Sequence, residues 1–280
     1  MISKALLSFL IFSCCLFVSG MALSSDLERE KRIAESVQDS IIIGEIINLK
    51  TADAEFIGLL SNEEPVTPRG SIIILHGMGS NPNAPHIVYP LRSQLAELGW
   101  ITASIQLPIA AHGASVDDNL ALIKESGPRI EATLNYMREN FKNSPCVVIA
   151  HSLGAIMATD YFAHQEKLVC DALVLIGLPT LPSTLAEAQS TELLQKISIP
   201  VLDIFGSQDL DSVKKTAPTR KFALIKNNSL NRQIEISGAD HAFNGLDDAL
   251  VLSIHNWLTH VFKHPPSITL KRNTHDPSSN

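Results

Sequence analysis

Apolar residues fall into short blocks along this chain, and the blocks change period. The run SIIILH at 71–76 is continuous and β-branched, and 100–107, 147–150, 171–177 and 200–206 repeat its character. Unbroken apolar runs of this length, bounded by Gly, Pro and polar residues, predict strands buried on both faces. Between them lie helical segments: 87–98, stopped by Gly99; 117–141, expected to break at Gly127-Pro128; the small-residue run 155–160; 211–226, helical or mixed; and an amphipathic 246–262. A last strand is predicted at 232–236. Upstream, 27–38 is helical in composition, and 40–50 and 55–61 read as an antiparallel pair at a sheet edge. Residues 62–70, with Pro65 and Pro68, read as a loop. From residue 71 onward strands alternate with helices, which predicts an α/β fold: a mostly parallel central sheet with helices on both faces. The 178–196 insertion holds Pro179, Pro182 and a short helix. It is too small for a lid domain, so a minimal cap and an open site are expected.

The ends differ in character. Lys4, an apolar run over 5–18 and small residues at Ser19, Gly20, Ala22 and Ser24 predict a signal peptide over 1–22. An uncleaved anchor and a lipid-modified Cys14 or Cys15 are weaker alternatives. The run is shorter than the roughly 20 residues a membrane span needs, so no stable span is expected after its removal. The expectation is an exported protein, periplasmic or secreted, with one domain over 23–262. Residues 263–280 are polar and predict a disordered tail. A formal net charge of −7 without a local Lys/Arg cluster argues against a nucleic-acid partner. No Walker A pattern, strand-linked G-x-G-x-x-G or paired C-x-x-C is present. Cys146 and Cys170 remain once the leader is removed. A bridge between the starts of two adjacent parallel strands is awkward, so two buried free thiols are favoured.

The chemistry gathers where strands end. Over 146–158 the chain reads CVVIAHSLGAIMA, a buried strand running into a helix through Ala150-His151-Ser152-Leu153-Gly154. Small residues two before and two after Ser152 suit a nucleophile elbow, where neighbouring backbone passes close by. The alternative is an ordinary helix-capping serine. The strand at 71–76 ends in His76-Gly77-Met78-Gly79, a loop able to aim backbone N–H groups at an anion. His76 itself reads as structural and His112 as a solvated loop residue. Asp209 follows the seventh strand and His241 the eighth. Serine needs a base, and the base needs a carboxylate on its other nitrogen. Ser152, His241 and Asp209 supply these, with Asp203, Asp211 and Asp240 as rival acids. Oxyanion donors would be the N–H groups of Met78 and Leu153.

HGMG at 76–79, AHSLGA at 150–155, FGSQD at 205–209 and GADHAF at 238–243 together resemble the α/β-hydrolase superfamily over about residues 70–262. Residues 75–108 further resemble a little-characterised group of exported bacterial α/β-hydrolase-like proteins. The resemblance implies a Ser-His-Asp triad working through an acyl-enzyme, with no metal or cofactor. Ala150 departs from the usual Gly. The expected activity is hydrolysis of a carboxylic ester or thioester, that is, a small-molecule or acyl-ester substrate. The alternatives are an acyltransferase or a cofactor-free lyase- or haloperoxidase-like activity with the same triad, or a non-catalytic binding protein on the same fold. Acyl group, leaving group and oligomeric state stay open.

Overall fold

Alternate residues of each central strand feed two different cores, because successive side chains leave a strand on opposite faces. The computed structural model describes residues 25–61, 67–142, 144–167 and 169–263. The leader expected over 1–22, and all but the first residue of the tail expected over 263–280, lie outside the described residues. The described chain begins with α1 (Leu27–Ser40), β1 (Glu45–Lys50), β2 (Glu55–Ser61), β3 (Ser71–Leu75), α2 (Val88–Glu97) and β4 (Ile101–Ile105). It continues with α3 (Val116–Ala121), α4 (Ile123–Asn140), β5 (Cys146–His151), α5 (Leu153–Ala163), β6 (Ala172–Ile176) and α6 (Ser190–Leu194). β7 (Val201–Gly206), α7 (Asp211–Lys214), α8 (Ala217–Ile225), β8 (Arg232–Ile236) and α9 (Asp247–Lys263) complete it.

The strands form one sheet in the order β1-β2-β4-β3-β5-β6-β7-β8. β1 and β2 pair antiparallel with each other, β2 pairs antiparallel with β4, and every other pair is parallel. Ile73, Leu75, Val148, Ala150, Leu173 and Leu175 pack toward α4 and α5. Their neighbours Ile72, Ile74, Val147, Ile149, Val174 and Ile176 pack toward α2 and α9. Helices on both faces are why these strands read as continuous apolar runs rather than alternating ones.

Three expectations need correction. The strand expected from residue 40 starts at Glu45, because α1 runs to Ser40 and Gly44 then turns the chain at φ +87. The helical break falls at Leu122, not at Gly127-Pro128. Pro128 lies inside α4, where it forfeits one backbone bond, while Ile123, Ile130, Leu134 and Met137 on the same helix are buried in the core. Finally, Cys146 and Cys170 are not free thiols but form a disulfide, with Cα atoms 4.9 Å apart. Cys170 precedes β6 by two residues and escapes the strand geometry that made a bridge awkward. Asp171 ties the junction, its N–H donating to Cys146 O and its Oδ2 accepting the Cys146 N–H, each at 2.8 Å.

Candidate active site

β5 delivers Ser152 at φ +55, ψ −119, a conformation that a non-glycine residue adopts at a cost, and α5 begins at the next residue. Close packing explains the small neighbours. A Cβ on Gly154 would lie 2.4 Å from His76 O, and Ala150, in place of the usual Gly, is fully buried yet accommodated. The Ser152 N–H is held by Ile176 O at 2.9 Å.

Asp209 sits in the turn after β7. Its N–H donates to Gly206 O at 3.0 Å, and Gln208 N–H donates across to Ala239 O at 2.9 Å, joining this turn to the loop after β8. That loop carries His241. Asp240 accepts from the Ala242 N–H and from both the backbone and side-chain N–H groups of Asn244, so it braces the loop instead of reaching the imidazole.

These elements bring three side chains into line. Ser152 Oγ donates to His241 Nε2 at 2.9 Å, and His241 Nδ1 donates to Asp209 Oδ1 at 2.6 Å. Burial pushes the Asp209 carboxyl up. The hydrogen bond and charge of His241, with the N–H groups of Leu210 and Gly206, outweigh that and leave it below its ordinary value. The rival acids are engaged elsewhere: Asp203 is wholly buried and bonded to Arg220 and Gln233, and Asp211 pairs with Lys215 in solvent.

Met78 lines the same cleft as Ser152 and exposes its side chain at the surface. Among the described residues, neither its N–H nor that of Leu153 has an acceptor. Leu153 opens α5, where the first N–H groups have no helical partner and the helix dipole favours an anion. The cleft, about 450 Å³, is lined by Gly77, Met78, Asn81, Ile87, Ser152 and His241 among others. Ile87 is strained too: at φ +63, ψ −62 it centres a γ-turn closed by Val88 N–H to His86 O at 2.6 Å. With Ser152 and with Phe243, two residues after His241 in the chain, it completes the positive-φ non-glycine residues among those described.

His76 is buried, holds the loop from inside, and is kept neutral; burial lowers its pKa to about 4. His112 is exposed in the loop after β4. Two further residues of the site escaped the sequence reading. His151 donates Nε2–H to the His241 carbonyl at 3.0 Å, and its ring lies 4.8 Å from that of His241. Burial first, then the charge of His241, lowers its pKa to about 4. Gly177, at φ +55, lets β6 pass directly beneath the His241 ring. Adjacency to the elbow and a glycine at a strand end were the available signals. Among the described residues, no group of three or more His, Cys, Asp or Glu is placed to hold a metal ion, and no helix is long and apolar enough to cross a membrane.

A family model described as "Protein of unknown function (DUF3530)" matches residues 22–126 and 115–260. No curated protein matches the sequence. Solved structures do match. An esterase of Pyrococcus furiosus superposes with a TM-score of 0.63 at 15% identity, covering 80% of this chain and 92% of its own. An α/β serine hydrolase homologue from Coxiella burnetii gives 0.59 at 17% identity over 79% and 99%. A Xanthomonas campestris protein, a member of the α/β serine hydrolases without lid, gives 0.60 at 15% identity over 79% and 96%. At these identities the likeness shows the fold, which is that of the α/β hydrolases.

Proposed function

We propose, for a chain that belongs to the DUF3530 family, that it is a serine hydrolase cleaving a carboxylic ester or thioester through an acyl-enzyme. The observation that carries this reading is the continuous hydrogen-bonded line Ser152–His241–Asp209, opening on a cleft beside the N–H groups of Met78 and Leu153, which have no acceptor among the described residues. Ser152 Oγ bonds to the substrate's carbonyl carbon as its proton passes to His241 Nε2. Asp209, low in pKa and bonded to Nδ1, fixes the tautomer and stabilises the imidazolium. The tetrahedral oxyanion takes the N–H groups of Met78 and Leu153. Collapse breaks the bond to the leaving alcohol or thiol, which leaves with the proton from His241. Water then repeats the sequence and frees Ser152. The esterase among the similar structures, and a 177–189 segment with a single short turn of 3-10 helix, support a small or extended ester in an open site. The Cys146–Cys170 disulfide supports an oxidising location outside the cytoplasm, as in the exported group that residues 75–108 resemble.

Labelling with a fluorophosphonate, followed by peptide mapping, tests the reading. Modification at Ser152, abolished in Ser152→Ala, together with turnover of short-chain p-nitrophenyl esters, is the expected result. A folded protein that neither labels nor turns over would overturn it in favour of a binding role.

A further inference from the structure

The N–H assigned to the oxyanion belongs to the planar peptide unit joining Gly77 to Met78, so whatever holds the Gly77 carbonyl also aims the Met78 N–H. That carbonyl accepts from His76 Nδ1 at 2.8 Å and from the Ser80 N–H at 3.2 Å. His76 is itself seated on the chain leaving β4: its Nε2 accepts the Leu107 N–H at 3.0 Å and faces the Gln106 amide nitrogen at 3.1 Å. One end of the 77–79 turn is therefore tied to 106–107.

The other end is tied to α1. The Gly79 carbonyl accepts from Arg29 Nη2 at 3.3 Å, and the same guanidinium donates Nη1–H to Ala110 O at 2.6 Å. Around Arg29 the first turn of α1 is laced to the same exit segment. Asp26 N–H donates to Ile109 O at 2.7 Å, and Ile109 N–H donates to Glu30 Oε1 at 3.2 Å. Glu30 is buried and pairs with Arg129 at 2.7 Å, and Arg129 also reaches Gln106 O at 3.2 Å. Asp26 caps the helix by accepting the Arg29 N–H at 2.9 Å. Arg29 extends this lacing across to the oxyanion turn, and a planar fork suits two carbonyls from different loops.

We propose that Arg29 is a positioning residue: with the first turn of α1 it straps the 77–79 turn in place so that the Met78 N–H stays aimed at the developing oxyanion. The inference rests on the serine-hydrolase reading of the cleft. Donors fixed before the reaction need no reorganisation when charge develops, so the strap acts on the transition state rather than on substrate binding.

Arg29→Ala, Arg29→Lys and, as a control, Arg32→Ala on the exposed side of the same helix test this. For Arg29→Ala, kcat on a p-nitrophenyl ester should fall by about 10- to 100-fold while KM stays within about twofold. Lysine, able to reach one carbonyl, should recover part of the loss, and Arg32→Ala should match the wild type. Amide exchange at Ser80, whose N–H closes the turn, should quicken in Arg29→Ala, less so in Arg29→Lys, and not in Arg32→Ala. Wild-type kcat together with wild-type Ser80 exchange in Arg29→Ala overturns the strap. If the wild-type protein itself neither labels at Ser152 nor turns over, the hydrolase reading fails, and Ser80 exchange still decides whether Arg29 holds the turn.

Discussion

Gly177 lies directly against His241: a Cβ built on it would sit 3.0 Å from both Nδ1 and Cε1 of the imidazole and 3.2 Å from Asp209 Oδ2. The residue is also at φ +55, where a side chain is strained in any surroundings. The hydrogen bonds that align His241 thus depend on the absence of a methyl group at the end of β6.

Gly177→Ala should therefore push the imidazole out of line. The expected outcome is a fall in kcat of about 10²-fold, the scale of a misplacement near 1 Å, with thermal unfolding lowered by a few degrees through the backbone strain. Steady-state kinetics beside a thermal melt check this. An unchanged kcat would mean that the ring tolerates displacement.

Asp209→Asn removes the carboxylate but keeps its shape. The amide can present its N–H to Nδ1 and so favour the wrong tautomer, with the proton on Nε2, facing Ser152. A loss of kcat on the order of 10⁴ is expected, as in the well-studied Ser-His-Asp proteases, with labelling at Ser152 slowed in parallel. Near-normal turnover would move the orienting role to another acid. Asp203 is poorly placed to take it, because Arg220 and Gln233 already occupy its oxygens.

The strand ends were legible because buried strands leave a simple trace: unbroken apolar runs that stop where the chain turns. That trace placed Ser152, Asp209 and His241 at one edge of a parallel sheet, and in the structure His241 hydrogen-bonds to Ser152 through one ring nitrogen and to Asp209 through the other. What escaped the sequence depends on contacts between segments far apart. A glycine at a strand end hints that Gly177 is special but does not say that His241 lies over it, and nothing local marks Arg29 as reaching Gly79 across 50 positions. The proline rule predicted a break at Pro128, but core burial of α4 outweighed one lost hydrogen bond. The disulfide runs against the expectation because Cys170 reads in the sequence as opening its strand, whereas β6 begins only at Ala172 and leaves Cys170 in the segment before it.

Replacing Cys146 and Cys170 with serine should lower stability by about 3 kcal/mol, the loop-closure entropy for a sequence separation of 24. The bridge lies at the end of β5 opposite Ser152, so kcat should hold while the urea midpoint falls. Equal midpoints for the oxidised wild type and the double variant would show that the native fold gains nothing from the bond.

Acid should destabilise the fold through its buried, neutral histidines, His76 and His151. His76 is buried beneath the oxyanion turn with its pKa lowered to about 4, whereas an unfolded histidine titrates near 6.5. Between those values the unfolded chain binds the extra proton, so stability is fully present above about pH 6.5, declines as pH falls, and levels off below about 4. The drop from this one group is on the order of 3 kcal/mol. Asp209, whose pKa is lowered below 3.8, loses its contribution only further down the scale, so the two effects separate along the pH axis. Urea unfolding at pH 7, 5.5 and 4.5, with the His76 ring followed by NMR, checks the window. A ring that protonates near pH 6.5 in the folded protein would mean that the imidazole can gain a charge without leaving its bonds to Gly77 and Leu107.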